Sequence, residues 1–148
     1  MEFFSRLLNT LIELHPTHPM FVHFPIALTG AAFLFSLLAY WKNNAALEQA
    51  AFANIVLAAI STVVAGVTGY LDNIKNYVGE APNANVKIIL ATTLFILTTG
   101  ISVIRYRNPH LFENNKRILY VAAYGLSFAI ALVLAFLGGV ILYGFSEN

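Results

Sequence analysis

Cysteine is absent from this chain of 148 residues, and charged residues make up only 10% of it. The first absence excludes disulfides, thiolate metal sites and a cysteine nucleophile. The second excludes an ordinary soluble surface, because domains that face water carry roughly a quarter charged residues. A net charge of +1 offers no basic face for nucleic acid, so no such partner is expected. Alternation of apolar and polar residues at period two is also missing, which removes a β-barrel. No buried acid pair, nucleophile–base pair or phosphate-cradling glycine loop can be found.

What remains is apolar. Hydrophobic residues reach 59%, and four stretches are long enough to cross a bilayer: Met20–Tyr40, Ala50–Tyr70, Val86–Ile104 and Ile118–Tyr143. A span needs roughly 20 residues at about 1.5 Å each to traverse a hydrocarbon core of about 30 Å. Backbone groups inside lipid must be satisfied within the segment, so the spans are read as helices. The expected fold is an all-α integral membrane protein, an up-down bundle of four transmembrane helices (20–40, 50–70, 86–104, 118–143) forming one domain over 1–148. The connections are Trp41–Gln49, Leu71–Asn85 and Arg105–Arg117. The spans lack the charged residues expected of a proton or ion pathway, so neither a transporter nor a hydrolase is expected.

Basic residues suggest an orientation. Lys42, Arg105, Arg107, Lys116 and Arg117 flank one side, and Arg6, Lys75 and Lys87 the other. Basic residues favour the cytoplasmic face, which puts both termini on the periplasmic or extracellular side. Ahead of the spans, Phe4, Leu7, Leu8, Leu11 and Ile12 recur at helical spacing between polar residues. Residues 1–14 are therefore expected to form an amphipathic helix lying in the headgroup layer, or docked on a partner subunit.

Small residues mark helix packing, where lipid supplies no hydrophobic drive for association. Ala58, Ala59, Ser61, Ala65, Gly66 and Gly69 lie in the second span, and Gly125, Ala129, Ala135, Gly138 and Gly139 in the fourth. Thr92, Thr93, Thr98 and Thr99 are expected to bond back to carbonyls of the preceding turn.

The densest chemistry lies at the mouth of the first span, His15-Pro16-Thr17-His18-Pro19-Met20-Phe21-Val22-His23-Phe24-Pro25. Pro19 suits a first helical turn, whereas Pro25 removes the donor that would have met the carbonyl of Phe21. His23 is then expected about one turn below the interface, beside that freed carbonyl and on the face of Met20, with His15 and His18 in the headgroup region. Three readings stand side by side. The imidazoles satisfy carbonyls, lipid phosphates or water. Alternatively, His15, His18 and His23, with Asp72 or Glu80, hold a transition metal, although the spacing fits no closed structural zinc pattern. Thirdly, His23 is an axial ligand of a haem b. No histidine or methionine occurs in spans two to four, so that haem would need His15, His18, water or another subunit as its second ligand.

The run His15-Pro16-x-His18-Pro19-x-x-x-His23-Phe24-Pro25-Ile26-x-Leu28 resembles the signature of domain-of-unknown-function family 2231, a group of bacterial and archaeal membrane proteins. Gly66, Gly69-Tyr70 and Asp72 resemble that family's glycine-then-aspartate exit from the second span. Where many members carry a histidine early in the third span, this chain has Asn85-Val86-Lys87, and a charged lysine is no ordinary ligand. Members are often found near or fused to redox modules such as cytochromes. The resemblance implies a prokaryotic inner-membrane protein with a part in electron transfer or haem handling. The resulting expectation is a small accessory subunit of a respiratory or photosynthetic electron-transfer complex, without catalytic activity of its own, in contact with bound lipids and other membrane subunits. The alternative is a stand-alone haem- or metal-binding redox protein that uses His23.

Overall fold

The computed structural model describes residue 4 and residues 18–79, 81–110 and 117–143, with side chains through position 139. The expected amphipathic helix at 1–14, His15, Glu80 and Lys116 lie outside the described residues. Four helices follow one another: α1 (His18–Lys42), α2 (Ala45–Tyr77), α3 (Ala84–Arg107) and α4 (Arg117–Tyr143). All four are long and apolar enough to cross a membrane. Among the described residues there is no strand.

Each helix packs against two others, α1 on α2 and α4, α3 on α2 and α4, which closes a four-sided bundle. Neighbours run antiparallel: His18 near the start of α1 meets Thr68 near the end of α2, and Arg105 at the end of α3 meets Glu48 at the start of α2. The up-down order expected from the sequence is the order observed.

The core is built on a seven-residue repeat. Pro25, Thr29, Ala32, Ser36 and Ala39 are the buried positions of α1, alternating steps of four and three. Glu48, Ala51, Ile55, Ala58, Thr62 and Ala65 do the same on α2, as do Leu94, Thr98 and Ile101 on α3. Tyr120, Tyr124, Ser127 and Ala131 complete the set on α4. This is the spacing at which helices keep one seam against their partners. The seam is lined mainly by Ala, Ser and Thr, so backbones approach closely. Large apolar side chains, among them Leu34, Leu57, Ile60, Ile89, Ile96, Leu119 and Phe136, point outward instead. That inversion of a soluble protein suits lipid as the outer solvent.

Midway along the bundle, α1 and α4 interlock. A Cβ on Gly30 would stand 3.0 Å from the Phe128 ring, and one on Gly125 would stand 3.0 Å from the Phe33 ring. Each helix thus seats its partner's phenyl ring on a glycine, and the two rings stack at 6.3 Å between centroids. Gly125 therefore does the packing the sequence expects of it. Gly66, Gly138 and Gly139 show no such contact, since among the described residues a Cβ there would meet nothing within 4 Å. Thr93 and Thr98 bond back to the carbonyls of Ile89 and Leu94 as expected, whereas the buried Thr99 hydroxyl makes no hydrogen bond among the described residues.

Helix α2 departs most from its expected bounds. Its 33 residues span about 50 Å at about 1.5 Å per residue, well beyond a hydrocarbon core of about 30 Å. It starts early because Asn44 caps it, the side-chain oxygen accepting from the backbone N–H of Ala46 at 2.9 Å and of Leu47 at 3.2 Å. Only Asn43 and Asn44 separate it from α1. At its other end Val78 takes a left-handed conformation and the Gly79 N–H returns to the Asn73 carbonyl, a common way to stop a helix. The Asn73 side chain accepts from the Ala81 N–H and donates to the Gly79 carbonyl, closing the turn toward α3.

Candidate functional site

Following the inward seams to their ends leads to two clusters of ionisable groups. At the end shared by the 43–44 and 108–116 connections, Glu48 continues the α2 seam one step before Ala51, and Arg105 continues the α3 seam one step after Ile101. Arg105 Nε donates to Glu48 Oε1 at 2.5 Å and Nη2 to Oε2 at 2.6 Å, a fork-to-fork geometry that suits guanidinium and carboxylate. The side chains are 14% and 3% exposed respectively. Helix α4 adds Tyr120, whose hydroxyl donates to Glu48 Oε1 at 3.4 Å, and Tyr124, whose hydroxyl lies 2.6 Å from that of Tyr120. Tyr124 is fully buried. Arg105 also lies over the Phe52 ring, and Arg117 over the Tyr40 ring at 4.8 Å.

At the opposite end, His18 stands seven residues before Pro25 on the α1 seam, Asp72 seven after Ala65 on α2, and Lys87 seven before Leu94 on α3. All three are half-buried. His18 Nδ1 lies 3.4 Å from Thr68 Oγ1, and the charges of Asp72 and Lys87 both reach the imidazole. The ring rests on Gly69, where a Cβ would stand 2.7 Å from its Cε1. The Asp72 carboxylate accepts from the Asn76 side-chain amide at 2.5 Å.

His23 is out of phase with the α1 seam and exposed, as is Met20 on the face expected for both. Its Nδ1 meets the Pro19 carbonyl at 2.5 Å, and not the carbonyl of Phe21. A helical side chain leans toward the N-terminus, which places the carbonyl four residues back within its reach. A carbonyl can only accept, so Nδ1 carries the hydrogen and a neutral ring keeps its lone pair on Nε2. Metal-ligating histidines are commonly held in this way.

The candidate ligands therefore separate. His18 and Asp72 face into the bundle beside Lys87, while His23 faces away from it. Among the described residues, no three His, Asp or Glu side chains gather as a metal would require, and His15 lies outside those residues. Glu48, Arg105, Tyr120 and Tyr124 are functional candidates that reading the sequence missed, because Glu48 and Arg105 fall in expected connections. The signal that finds them is the seven-residue seam, extended by one step at each end.

The molecule is thus a four-span membrane bundle of small core residues with ionisable groups turned inward at both ends. A family model described as "Predicted membrane protein (DUF2231)" matches residues 14–146, and the chain belongs to that family. No curated protein and no solved structure matches it.

Proposed function

We propose that this protein is a small integral subunit of a respiratory or photosynthetic electron-transfer complex in a prokaryotic inner membrane, with a positional task. Its Glu48 end faces the cytoplasm, where the larger share of basic residues favours it, and both termini face the other side. The observation that carries the reading is His23. An imidazole whose Nδ1–H is engaged by the Pro19 carbonyl presents a bare Nε2 outward from the bundle. A polar atom facing lipid is costly unless something meets it.

What meets it is a ligand-accepting group at the face shared with a neighbouring subunit. Haem b iron or a transition ion suits a neutral imidazole. Spans two to four contain no histidine or methionine and His18 turns into the bundle, so a second strong ligand comes from another chain or from His15. Small packed helices, bound lipid and one outward ligand suit a subunit that holds a cofactor in place without turning over a substrate.

Mild solubilisation of native membranes tests this. Redox subunits are expected to co-migrate with the wild-type protein and to be lost from His23→Ala, while the variant's stability stays within about 0.5 kcal/mol, as for other exposed sites. A stable monomer with no co-migrating redox subunits would overturn the reading. The second reading, a stand-alone redox protein with His23 as ligand, rests on the same side chain. A Soret band or bound metal in protein made alone with haem and metals supplied would favour it, and a colourless, metal-free product would exclude it.

A further inference from the structure

We propose that the bundle conducts protons along its axis, entering at the Glu48–Tyr120–Tyr124 cluster and leaving at His18, with the buried hydroxyls of the four seams between them. This proposal does not depend on the His23 reading, since it concerns the inside of the bundle and needs no second subunit.

Placement is the first support. In a chain so poor in charge, Glu48, Arg105, Asp72, Lys87 and His18 all turn inward, each at the end of a seam. Ionisable groups inside a membrane protein are costly, and proton relays and ion pathways are among the roles that retain them. Each end draws on three helices, α2, α3 and α4 at one and α1, α2 and α3 at the other, so both clusters converge on the axis. The second support lies between them. Every helix contributes a buried hydroxyl to its seam: Thr29 and Ser36 from α1, Thr62 from α2, Thr98 from α3 and Ser127 from α4; each donates at rest to a carbonyl of its own helix and must turn to pass a proton on. Thr99, next to the seam position Thr98, adds a buried hydroxyl that makes no hydrogen bond among the described residues.

Depth orders these groups. Taking about 1.5 Å per residue from the Glu48 end, Tyr124 and Ser36 lie about 10 Å in, and Thr98 and Ser127 about 14 Å. Thr29 follows at about 20 Å, Thr62 at about 25 Å, and Thr68 beside His18 at about 35 Å. The gaps need intervening water, so the closely packed seams must part as the relay operates.

The relay is balanced in protons. Glu48 takes one from water at its end, which neutralises the carboxylate and loosens the Arg105 fork. Its proton passes to the Tyr120 oxygen as Tyr120 gives its own to Tyr124. Hydroxyls and water hand on one proton each until His18 receives one at a ring nitrogen and releases one to water beside Asp72. No bonds other than O–H and N–H change. Arg105 repels protons, as cationic side chains do in water-selective pores; Glu48 offsets its charge until it takes up the proton, and handing that proton to Tyr120 restores the offset.

The test uses the full chain in vesicles of phosphatidylcholine and phosphatidylglycerol, loaded with a pH-sensitive dye and given a potassium diffusion potential with valinomycin. The wild-type protein is expected to acidify or alkalinise the interior several-fold faster than protein-free vesicles, following the sign of the potential. His18→Gln and Glu48→Gln are expected to bring the rate to the protein-free level, and Thr62→Val and Ser127→Ala to lower it. Size exclusion and circular dichroism confirm the fold of each variant. Should Glu48→Gln fail to fold, His18→Gln at the other end and Thr62→Val at mid-depth carry the test. A wild-type rate equal to that of protein-free vesicles overturns the proposal, as does wild-type conduction that every folded variant retains.

Discussion

The two ends of the bundle hold the same kinds of groups in different ways. At the Glu48 end, a buried carboxylate and a guanidinium meet through two hydrogen bonds, braced by two tyrosines and a phenyl ring. At the His18 end, the imidazole, Asp72 and Lys87 are half-buried and spread over three helices, with one long contact to Thr68. The difference follows from burial. A charge removed from water must be paired at good geometry, whereas one that keeps part of its hydration need not be. The first end is therefore the more tightly held, and the second keeps more of its hydration.

The largest expected effect comes from breaking the first end. Arg105→Leu leaves Glu48 buried without its partner and is expected to cost about 3–5 kcal/mol. Thermal unfolding in detergent, followed by circular dichroism, measures it. The double variant Glu48→Leu/Arg105→Leu should recover most of that loss, and a double variant as unstable as the single would show that the pair is not what holds this end.

Between the two ends, Gly30→Ala or Gly125→Ala pushes a methyl group against a packed phenyl ring. The expected loss is about 1–3 kcal/mol, as for other overpacked cores. Combining the two substitutions tests whether they share one contact, since the paired loss should differ from the sum of the singles. A smaller effect, about 1 kcal/mol, is expected from Tyr124→Phe, which removes one partner of the 2.6 Å hydroxyl contact.

Gly69→Ala at the His18 end should cost least. The methyl group meets the far end of a side chain that can swing aside, at about 0.5–1.5 kcal/mol for an off-rotamer ring. Its signature is positional: the imidazole resonances of His18 should shift in NMR spectra while the melting temperature barely moves. A large stability loss with unchanged resonances would mean that the His18 end is packed as rigidly as the other.

The spans were legible in the sequence because hydropathy reports the solvent outside each helix, and that signal is averaged over many residues. The helix ends were not. Glu48 reads as part of a connection because a charge beside an apolar run ordinarily marks the water boundary. The partner that makes its burial tolerable, Arg105, lies 57 positions away. The histidines illustrate a second limit. Their density draws attention to depth, which favours His23, whereas phase decides which one enters the bundle. His18, Pro25, Ala32 and Ala39 are spaced by sevens along one seam, and His23 falls between its positions. That phase was present in the sequence, but it acquires meaning only once the buried faces are known.

The glycine-seated rings at mid-depth also govern how the molecule can move. A slide of α4 along α1 by one turn, about 5.4 Å, would carry Phe128 from Gly30 onto Ile26 or Leu34, and Phe33 from Gly125 onto Val121 or Ala129. Axial sliding is thereby blocked, while tilting about the stacked rings is not. The pair acts as a fulcrum: splaying α1 from α4 at one face of the membrane presses them together at the other.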